Sequence, residues 1–329
     1  MVIKMKKMKM AIMGAGNIAV SMAKTIAEME NVERYAVGSR SQEKAEGFAK
    51  EHGFTKAYGS YEELVADEEV ELIYIATPHS EHYENARLCI LHGKPVLCEK
   101  SFTANAGQAR ELFALAEAER VFITEAIWVR YMPMLEQIRR ELASGSIGEV
   151  TMLTANLGYP ISQVPRMRRP DLAGGALLDV GVYPLNFALM MFGNRVKDIS
   201  GVCTYTDTGV DEQNSFTLTF EDGKVAQLNS SMLCRSDRRG MIYGTNGYIQ
   251  IDNINNFEGL TVYDADGRAQ KRMERPEQIS GYEYEVEACI RALAEGKLAC
   301  EEMPHEESIR VMELMDSLRK QWGIRYPFE

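Results

Sequence analysis

The sequence predicts an α/β protein with two domains, a parallel sheet covered by helices followed by an α+β domain with an open, mainly antiparallel sheet. Three observations support this prediction. The chain has 329 residues, which is long for a single hydrophobic core. Apolar runs alternate with helical patterns over residues 1–125, as in parallel sheets. From about residue 148, within a second domain expected over residues 126–329, short strand patterns follow one another with few helices, as in antiparallel sheets.

The first domain is predicted to alternate strands with helices in chain order. Its strands are expected at Lys9–Met13, Arg34–Val37, Val70–Ala76, Pro95–Cys98 and Val121–Thr124. Its helices are expected from Ile18 to Met29 and at Gln42–Glu51, Glu81–Leu91 and Ala106–Glu119. Gly53 and Gly93, which follow two of these helices, are typical helix terminators.

The second domain is predicted to form an open sheet, because its strand patterns are joined by hairpin turns such as Glu221–Gly223 and Asp264–Gly267. Strands are expected at Val150–Leu157, Val196–Tyr205, Ser215–Phe220, Lys224–Met232, Met241–Tyr243, Tyr248–Asn253 and Leu260–Tyr263. Helices near 178–192 and 282–296 are expected to back one face. A second subunit would cover the other face, giving a homodimer or homotetramer. The closing helix, 306–321, is a candidate to pack back on the first domain.

A glycine-rich loop, Gly14–Ala19, follows the first strand and opens the first helix. This G-x-G-x-x-A pattern is the fingerprint of a Rossmann dinucleotide-binding domain. The first glycine permits a tight turn, the second lets the backbone approach a pyrophosphate, and the helix N-terminus faces its negative charge. The predicted cofactor contacts in this loop are Gly14, Ala15, Gly16, Asn17 and Ile18.

The end of the second strand favours NADP over NAD. An NAD-binding domain usually has an acidic residue there for the ribose hydroxyls, whereas this chain has Ser39 and Arg40. Ser39 can hydrogen-bond, Arg40 can pair with a 2′-phosphate, and Lys44 lies one turn further along. The alternative for Arg40 is a solvated loop charge.

Composition excludes several classes of partner. The net charge of −11 argues against nucleic acid and anionic membranes. Six scattered cysteines without a Cys-x-x-Cys pair indicate reduced thiols and a cytoplasmic protein. No 18-residue apolar run is evident and the basic start shows no cleavage site, so neither a membrane span nor a signal peptide is expected. No metal site is predicted.

The segment Gly174–Pro184 (GGALLDVGVYP) is apolar enough to be buried, yet it contains Asp179 and Tyr183. In a helix these two side chains share one face, and a buried acid and phenol need partners or a use. Together with the glycine loop, the segments Ile75–His82 and Cys98–Ser101 make the chain resemble the glucose–fructose oxidoreductase/inositol dehydrogenase (Gfo/Idh/MocA) family. The branch it resembles most contains dimeric dihydrodiol dehydrogenase.

The resemblance implies roles for particular residues. Lys100 matches the family's catalytic lysine, Tyr183 the general acid/base, and Asp179 an aspartate that binds substrate or holds the other two. A phenol titrates near ~10 unless a cation assists it, and Lys100 is the candidate cation. The alternative for Asp179 is a helix-start carboxylate that interacts with backbone amides.

The resemblance also implies further contacts. Those to the cofactor are Thr77, Pro78, His79, Glu99 and Lys100, and those lining the substrate pocket are Trp128, Arg130, Asp179 and Tyr183. His82 is expected to be structural, and the alternative for Trp128 is an aromatic that packs between the two domains. The family's Glu-Lys-Pro is Glu-Lys-Ser here, so the Lys100–Ser101 bond is either trans or a cis bond held by its surroundings.

The predicted function is therefore NADP-dependent hydride transfer to or from a hydroxyl or carbonyl of a small sugar, polyol or cyclic diol. The alternatives are an NAD(P)-dependent, redox-neutral glycosidase and a non-catalytic NADP-binding protein. A loop with Arg166, Arg168 and Arg169 either favours an acidic substrate or is simply solvated.

Overall fold

The computed structural model describes residues 7–329; part of the basic start, where no signal peptide was predicted, lies outside the described residues. Two compact units are present. The first comprises the chain up to Trp128 together with Gln278–Ser308, and the second comprises Val129–Glu277 with Ile309–Glu329. This division differs from the predicted boundary at residues 125 and 126, because a late segment of the chain belongs to the first unit.

Within residues 7–329, the first unit contains a sheet of six parallel strands. They are β1 Met8–Met13, β2 Val32–Gly38, β3 Lys56–Tyr58, β4 Leu72–Ile75, β5 Val96–Glu99 and β6 Ile123–Ala126. The spatial order β3-β2-β1-β4-β5-β6 reverses between β1 and β4, which places the ligand crevice of such a sheet at the carboxyl ends of these strands. All four residues of β4 are buried, as expected for a strand covered on both faces.

Helices of the first unit connect these strands. They are α1 Asn17–Ala27, α2 Gln42–His52, α3 Tyr61–Ala66, α4 His79–Leu91 and α5 Ala106–Glu119. Two short polar side chains begin helices next to the crevice: Ser41 accepts the Lys44 N–H at the start of α2, and Ser60 accepts the Glu63 N–H at the start of α3. Gly53 ends α2 in the left-handed conformation, as predicted from the sequence.

The second unit contains a sheet of eight strands within the described part of the chain. They are β7 Val150–Gly158, β8 Val196–Tyr205, β9 Asp211–Phe220, β10 Val225–Ser231, β11 Gly240–Gly244, β12 Gly247–Asp252, β13 Gly259–Asp264 and β14 Ala269–Glu274. The order is β14-β13-β12-β11-β7-β10-β9-β8, and every neighbouring pair is antiparallel except β7 with β10. The predicted fold class is confirmed.

One face of this second sheet is packed and the other is open. Helix α6 (Pro133–Ala143) precedes the sheet, and α7 (Val182–Phe192) packs on β7 and β10. Phe187 of α7 fills the space that a side chain at Gly240 would take. On the opposite face Val202, Ser215 and Asn229 lie in register across β8, β9 and β10, and all three are exposed.

The helix predicted near 282–296 is α8 (Glu283–Ala294), and the expectation that it backs the antiparallel sheet is wrong. It lies in the first unit, within a segment that covers the edge strand β6. Leu298 O accepts the Ile123 N–H at 3.0 Å, and Ser308 Oγ donates to the Glu125 carboxylate at 2.7 Å. These bonds satisfy polar groups that a sheet edge otherwise leaves open.

Helix α9 (His305–Trp322) begins in the first unit and continues through the second. Within the second unit it runs along the edge strand β8, where Gln321 Nε2 donates to Ile199 O and Trp322 Nε1 donates to Gly201 O. Its first turn, up to Ser308, belongs to the first unit, and the rest of the helix belongs to the second.

The run Pro170–Phe192 is long and apolar enough to pass for a membrane span by length and composition, so the expectation that no such run exists is corrected. Its 18-residue window is 89% buried within the protein, which is the behaviour of a core helix. The sequence reading missed it because Asp179 and the glycines interrupt the run.

Candidate cofactor and catalytic sites

A cleft of about 300 Å³ lies at the carboxyl ends of β1, β2 and β4 in the first unit. Of the predicted cofactor residues, the glycine loop, the end of the second strand and the loop after β4 all contribute to it. Its lining consists of Gly14, Ala15, Gly16, Ser39, Arg40, Ser41, Lys44, Tyr61, Ala76, Thr77 and Pro78.

Gly14 and Gly16 of the glycine loop are glycines for different structural reasons. Gly14 has a φ of 107°, and a Cβ there would lie 2.7 Å from the Ala76 carbonyl oxygen, so only glycine fits. A Cβ at Gly16 would meet nothing within 4 Å, so its absence leaves open space in front of the helix. Gly16 begins α1 without a side-chain cap, which leaves the first-turn N–H groups directed at the cleft for an anion.

Polar and cationic side chains surround the end of β2. Ser39 is buried, whereas the Arg40 and Lys44 side chains are exposed at the cleft. Sequence reasoning missed Ser41 and Tyr61. Burial raises the pKa of Tyr61 and the Arg40 charge lowers it, so the phenol stays protonated beside the guanidinium. The Ser60–Glu63 capping pattern could have located Tyr61 at a helix start facing this cleft.

Five predicted cofactor residues do not line this cleft. Asn17 and Ile18 form the first turn of α1, and His79 is the buried first residue of α4. Glu99 and Lys100 lie at the end of β5 and just beyond it. If these five residues contact the cofactor as predicted, they do so outside the cleft that Arg40 lines.

The segment that carries Lys100 is held by buried groups. Glu99 accepts the Lys100 N–H at 3.1 Å and also accepts the Tyr74 hydroxyl. Burial raises the pKa of Tyr74 well above its usual range, which keeps that hydroxyl a donor. The Lys100–Ser101 peptide bond is cis, which answers the question that the missing proline raised.

His82 joins this segment to the loop after β4. Its Nδ1 lies 2.9 Å from Ser101 O and its Nε2 lies 2.9 Å from Thr77 O. Burial lowers the pKa of His82, so the ring is neutral near pH 7 and donates to one carbonyl at a time. This geometry fits the structural role expected for His82, since the ring links the two loops.

Glu285 on α8 is a buried carboxyl that sequence reasoning missed. Burial and, secondarily, the charge of Glu99 raise its pKa well above the usual range, which favours its protonated form. Among the described residues, neither of its oxygens has a hydrogen-bond partner. No local pattern in the sequence indicates that this helix lies next to the end of β5.

The chain passes from one unit to the other at a short 3-10 turn, Trp128–Tyr131. In the first unit, Trp128 stacks on Tyr282 with ring centroids 4.3 Å apart. In the second unit, Arg130 Nε donates to Asn186 Oδ1 of α7 at 2.6 Å. Both residues were predicted to line the substrate pocket. The stacking of Trp128 lies within the first unit, so its two expected roles, pocket wall and interdomain packing, stay predictions, and Arg130 bonds to the helix that carries Tyr183.

Asp179 and Tyr183 lie on one helical run in the second unit, and both are buried. Leu177–Gly181 is a π-helical turn that continues directly into α7, where Tyr183 is the second residue. Such turns are rare and occur often at functional sites. Asp179 Oδ1 lies 2.9 Å from Arg166 Nη1, a contact that spacing along the chain did not indicate.

The three loop arginines each have an acidic partner. Arg168 pairs with Asp207 and Arg169 with Asp171, in addition to the Arg166–Asp179 pair. Their charges are therefore balanced within the second unit, which weakens the argument that this loop selects an acidic substrate. No group of three or more His, Cys, Asp or Glu side chains suited to a metal occurs among residues 7–329.

Comparison with family models gives two matches that follow each other along the chain. The model described as an oxidoreductase family with an NAD-binding Rossmann fold matches residues 8–126. The model described as the GFO/IDH/MocA C-terminal domain matches residues 135–250.

Similar proteins of known activity cover almost the whole chain. A trans-1,2-dihydrobenzene-1,2-diol dehydrogenase of Xenopus tropicalis is 34% identical, covering 97% of this chain and 99% of the relative. A D-xylose 1-dehydrogenase (NADP(+)) of Hypocrea jecorina is 34% identical over 97% and 93%. Among solved structures, a 3-ketoreductase of Actinomadura kijaniata in complex with NADP and TDP-benzene is 25% identical, with a TM-score of 0.86 and 96% and 98% coverage.

Proposed function

Because this chain belongs to the Gfo/Idh/MocA family of oxidoreductases, we propose that it transfers a hydride between NADP(H) and a hydroxyl or carbonyl of a small sugar, polyol or cyclic diol. The family resemblance and the assignment as an oxidoreductase are confirmed. The observation that carries the proposal is the cleft in which Gly16 leaves open space beside Ser39, Arg40 and Lys44.

The residues of this cleft fit a dinucleotide with a 2′-phosphate. The uncapped first turn of α1 suits the pyrophosphate, since its N–H groups and helix dipole favour negative charge. Arg40 and Lys44 supply two cations where an NAD-binding domain usually has a carboxylate. NADP dependence agrees with the xylose dehydrogenase and the ketoreductase, whose names and ligands include it.

The proposed chemistry divides between cofactor and protein. When bound, NADP(H) would supply the hydride chemistry, that is, the exchange of a hydride with the alcohol or carbonyl carbon of the substrate. Tyr183 takes the hydroxyl proton during oxidation and gives it back during reduction, and Lys100 supplies the positive charge that favours the ionised phenol. Asp179, paired with Arg166, accepts a hydrogen bond from a substrate hydroxyl.

A dehydrogenase screen tests this function. The purified protein is assayed for NADPH formation with D-xylose, D-glucose, a trans-cyclic diol and the corresponding sugar acids. We expect turnover of neutral polyhydroxy compounds with NADP, because Arg166 is already paired and offers little to a carboxylate. Hydrolysis of aryl glycosides without net NADPH change would instead support the glycosidase alternative, and no turnover together with tight NADP binding would support a binding protein.

Arg40→Ala is expected to lower kcat/KM for NADP about 10- to 100-fold, the ~1.5–3 kcal/mol of a hydrogen bond to a charged group, with little change for NAD. The matched control is Arg87→Ala, an exposed arginine on α4 outside the cleft. Steady-state kinetics with both cofactors measure the ratio. An equal loss with NADP and NAD would show that Arg40 does not read the 2′-phosphate.

We also propose a homodimer or homotetramer that forms through the open face of the second sheet. The centre of that face carries Ser215, Gln227 and Asn229 rather than charged side chains, although a quarter of the chain is charged. Three tyrosines, Tyr243, Tyr248 and Tyr263, lie next to one another at its far side, with successive ring centroids 6.1 and 4.6 Å apart. Light scattering of the purified protein measures the assembly directly, and a monomer at micromolar concentration would contradict it.

The protein is further proposed to be cytoplasmic and to bind neither nucleic acid nor membranes. The net charge of −11 supports the second point and the six free cysteines support the first.

A further inference from the structure

A buried hydrogen-bond cluster lies behind the start of the helical run that carries Asp179 and Tyr183. At its centre is Asp211, the first residue of β9, of which 2% is exposed. Its Oδ2 accepts the Leu177 N–H at 2.7 Å and the Asn214 Nδ2–H at 2.8 Å. The Asp211 carboxylate therefore satisfies a backbone donor at the beginning of the π-helical turn, two residues before Asp179.

A second layer of contacts fixes this arrangement. Asn214 Oδ1 accepts the Ser230 hydroxyl at 2.8 Å, which orients the amide so that its N–H faces Asp211. Gly175 has a φ of 120°, and a Cβ there would overlap Asp211 Oδ1. Gly175 therefore serves two purposes: it allows the positive φ of this turn, and it leaves room for the Asp211 carboxylate. Asp211 occupies a site that the surrounding chain is shaped to hold.

The C-terminal tail supports the same turn from another side. The Tyr326 hydroxyl donates to Gly174 O at 3.0 Å, and the Arg319 guanidinium lies 4.6 Å from the centre of the Tyr326 ring. Arg319 in turn pairs with Glu329 and Asp316. Residues just beyond α9 are therefore part of the structure that holds the turn before Asp179 and Tyr183.

Several titratable groups face Asp211 from the elements around it. Burial is the largest effect and raises its pKa to about 6, against the lowering by Asn214, the Leu177 N–H and the positive charge of Arg319. Burial is the largest cause of the raised pKa of Tyr326 in the C-terminal tail and of Cys203 on β8, and a hydrogen bond with Cys203 is the largest for Tyr205 on the same strand. The negative charge of Asp211 adds to the raised pKa of all three. Near pH 7 the carboxylate is mostly ionised and accepts both hydrogen bonds.

We propose that Asp211 is a positioning residue of the active site, whose ionised carboxylate holds the first turn of the helical run that presents Asp179 and Tyr183. This inference rests on the proposed catalytic function of those two residues. The Leu177 N–H lowers the pKa of Asp211, so protonation of the carboxyl while it stays buried weakens this hydrogen bond and loosens the turn. Activity and local order then fall together as the pH drops through about 6.

The first experiment compares wild type with Asp211→Asn by kcat from acid to neutral pH at saturating NADP. In wild type we expect an acidic limb near pH 6. Asp211→Asn should lower kcat at neutral pH about tenfold, on the scale of a lost charged hydrogen bond, and should remove that limb. The matched control is Asp207→Asn, an exposed residue that pairs with Arg168 and should leave the profile unchanged.

The second experiment does not depend on turnover, so it separates failure of this inference from failure of the proposed function. Amide hydrogen exchange of peptides covering residues 176–183 is measured above and below pH 6, after correction for intrinsic rates. We expect protection in wild type to fall at the lower pH, and Asp211→Asn to show low protection at both. The proposal would be overturned if wild type and Asp211→Asn showed the same amide protection at both pH values, or the same acidic limb in kcat. This holds even if the variant melts at lower temperature.

A milder variant keeps the test decisive if Asp211→Asn does not fold. Asn214→Ala removes one donor to the ionised carboxylate and leaves the Leu177 N–H in place. Because that donor lowers the pKa of Asp211, its loss should move the acidic limb and the exchange transition to higher pH. An unmoved transition would contradict the role of Asp211.

Discussion

Tyr183→Phe is expected to lower kcat by about 10²–10⁴-fold, the range for loss of a general acid/base, while binding of NADP stays close to that of wild type. Tyr183 is buried at the start of α7, with Arg130 bonded to Asn186 one turn further along the same helix. Phenylalanine keeps the ring and its packing, so the change removes the hydroxyl alone.

The measurement for this variant is kcat with a substrate found in the screen, alongside the NADP dissociation constant from fluorescence. The matched control is Tyr83→Phe on α4, whose hydroxyl donates to Glu111 at the surface. Tyr183→Phe with full activity would remove Tyr183 from the mechanism. A loss of NADP binding equal to the loss of kcat would indicate a structural role instead.

Lys100→Met is expected to lower kcat by about 10²-fold or more, because in the proposed mechanism Lys100 is the cation that favours the ionised phenol. The backbone at this position is held independently of the side chain, through the Lys100 N–H to Glu99 and through His82 to Ser101. The substitution therefore tests the ammonium group. Lys50→Met, at an exposed position on α2, is the matched control.

Combining the two substitutions tests whether Lys100 and Tyr183 serve one step. If they do, the double variant should lose little more activity than the less active single variant. The reason is that neither the ammonium nor the hydroxyl contributes to the step once the other is gone. If the losses multiply, the two residues act independently and the assisted-phenol mechanism is wrong. Melting temperatures of all three variants identify losses caused by unfolding.

The alternation of strands and helices in the first unit could be predicted because parallel strands buried on both faces are continuous apolar runs. Strand β4 and helix α5 were found in this way, with α5 matching at both ends. Strand β3 has three residues and α3 has six, too few to show a period. The edge strand β14 is almost entirely polar and exposed, so no apolar pattern indicated it.

The candidate site was predictable where local sequence determines it. The glycine loop and Arg40 each follow the end of a strand within two residues along the chain, and the structure places them in one cleft. Arg166 and Asp211 were not identified as partners of the segment with Asp179 and Tyr183, since 13 and 34 residues separate them from their contacts at Asp179 and Leu177. Such pairings depend on tertiary packing, which one sequence does not reveal.

The crossing of the chain between its two compact units has a consequence for how the protein can be divided. A fragment of residues 1–125 would include most of the nucleotide-binding sheet but would lack Leu298, Met303 and Ser308, which bond to Ile123, Thr124 and Glu125. Its edge strand would present open backbone groups to other molecules, and aggregation would follow. Gene fusion or domain exchange with this chain would therefore have to transfer the late segment 278–308 together with the N-terminal half.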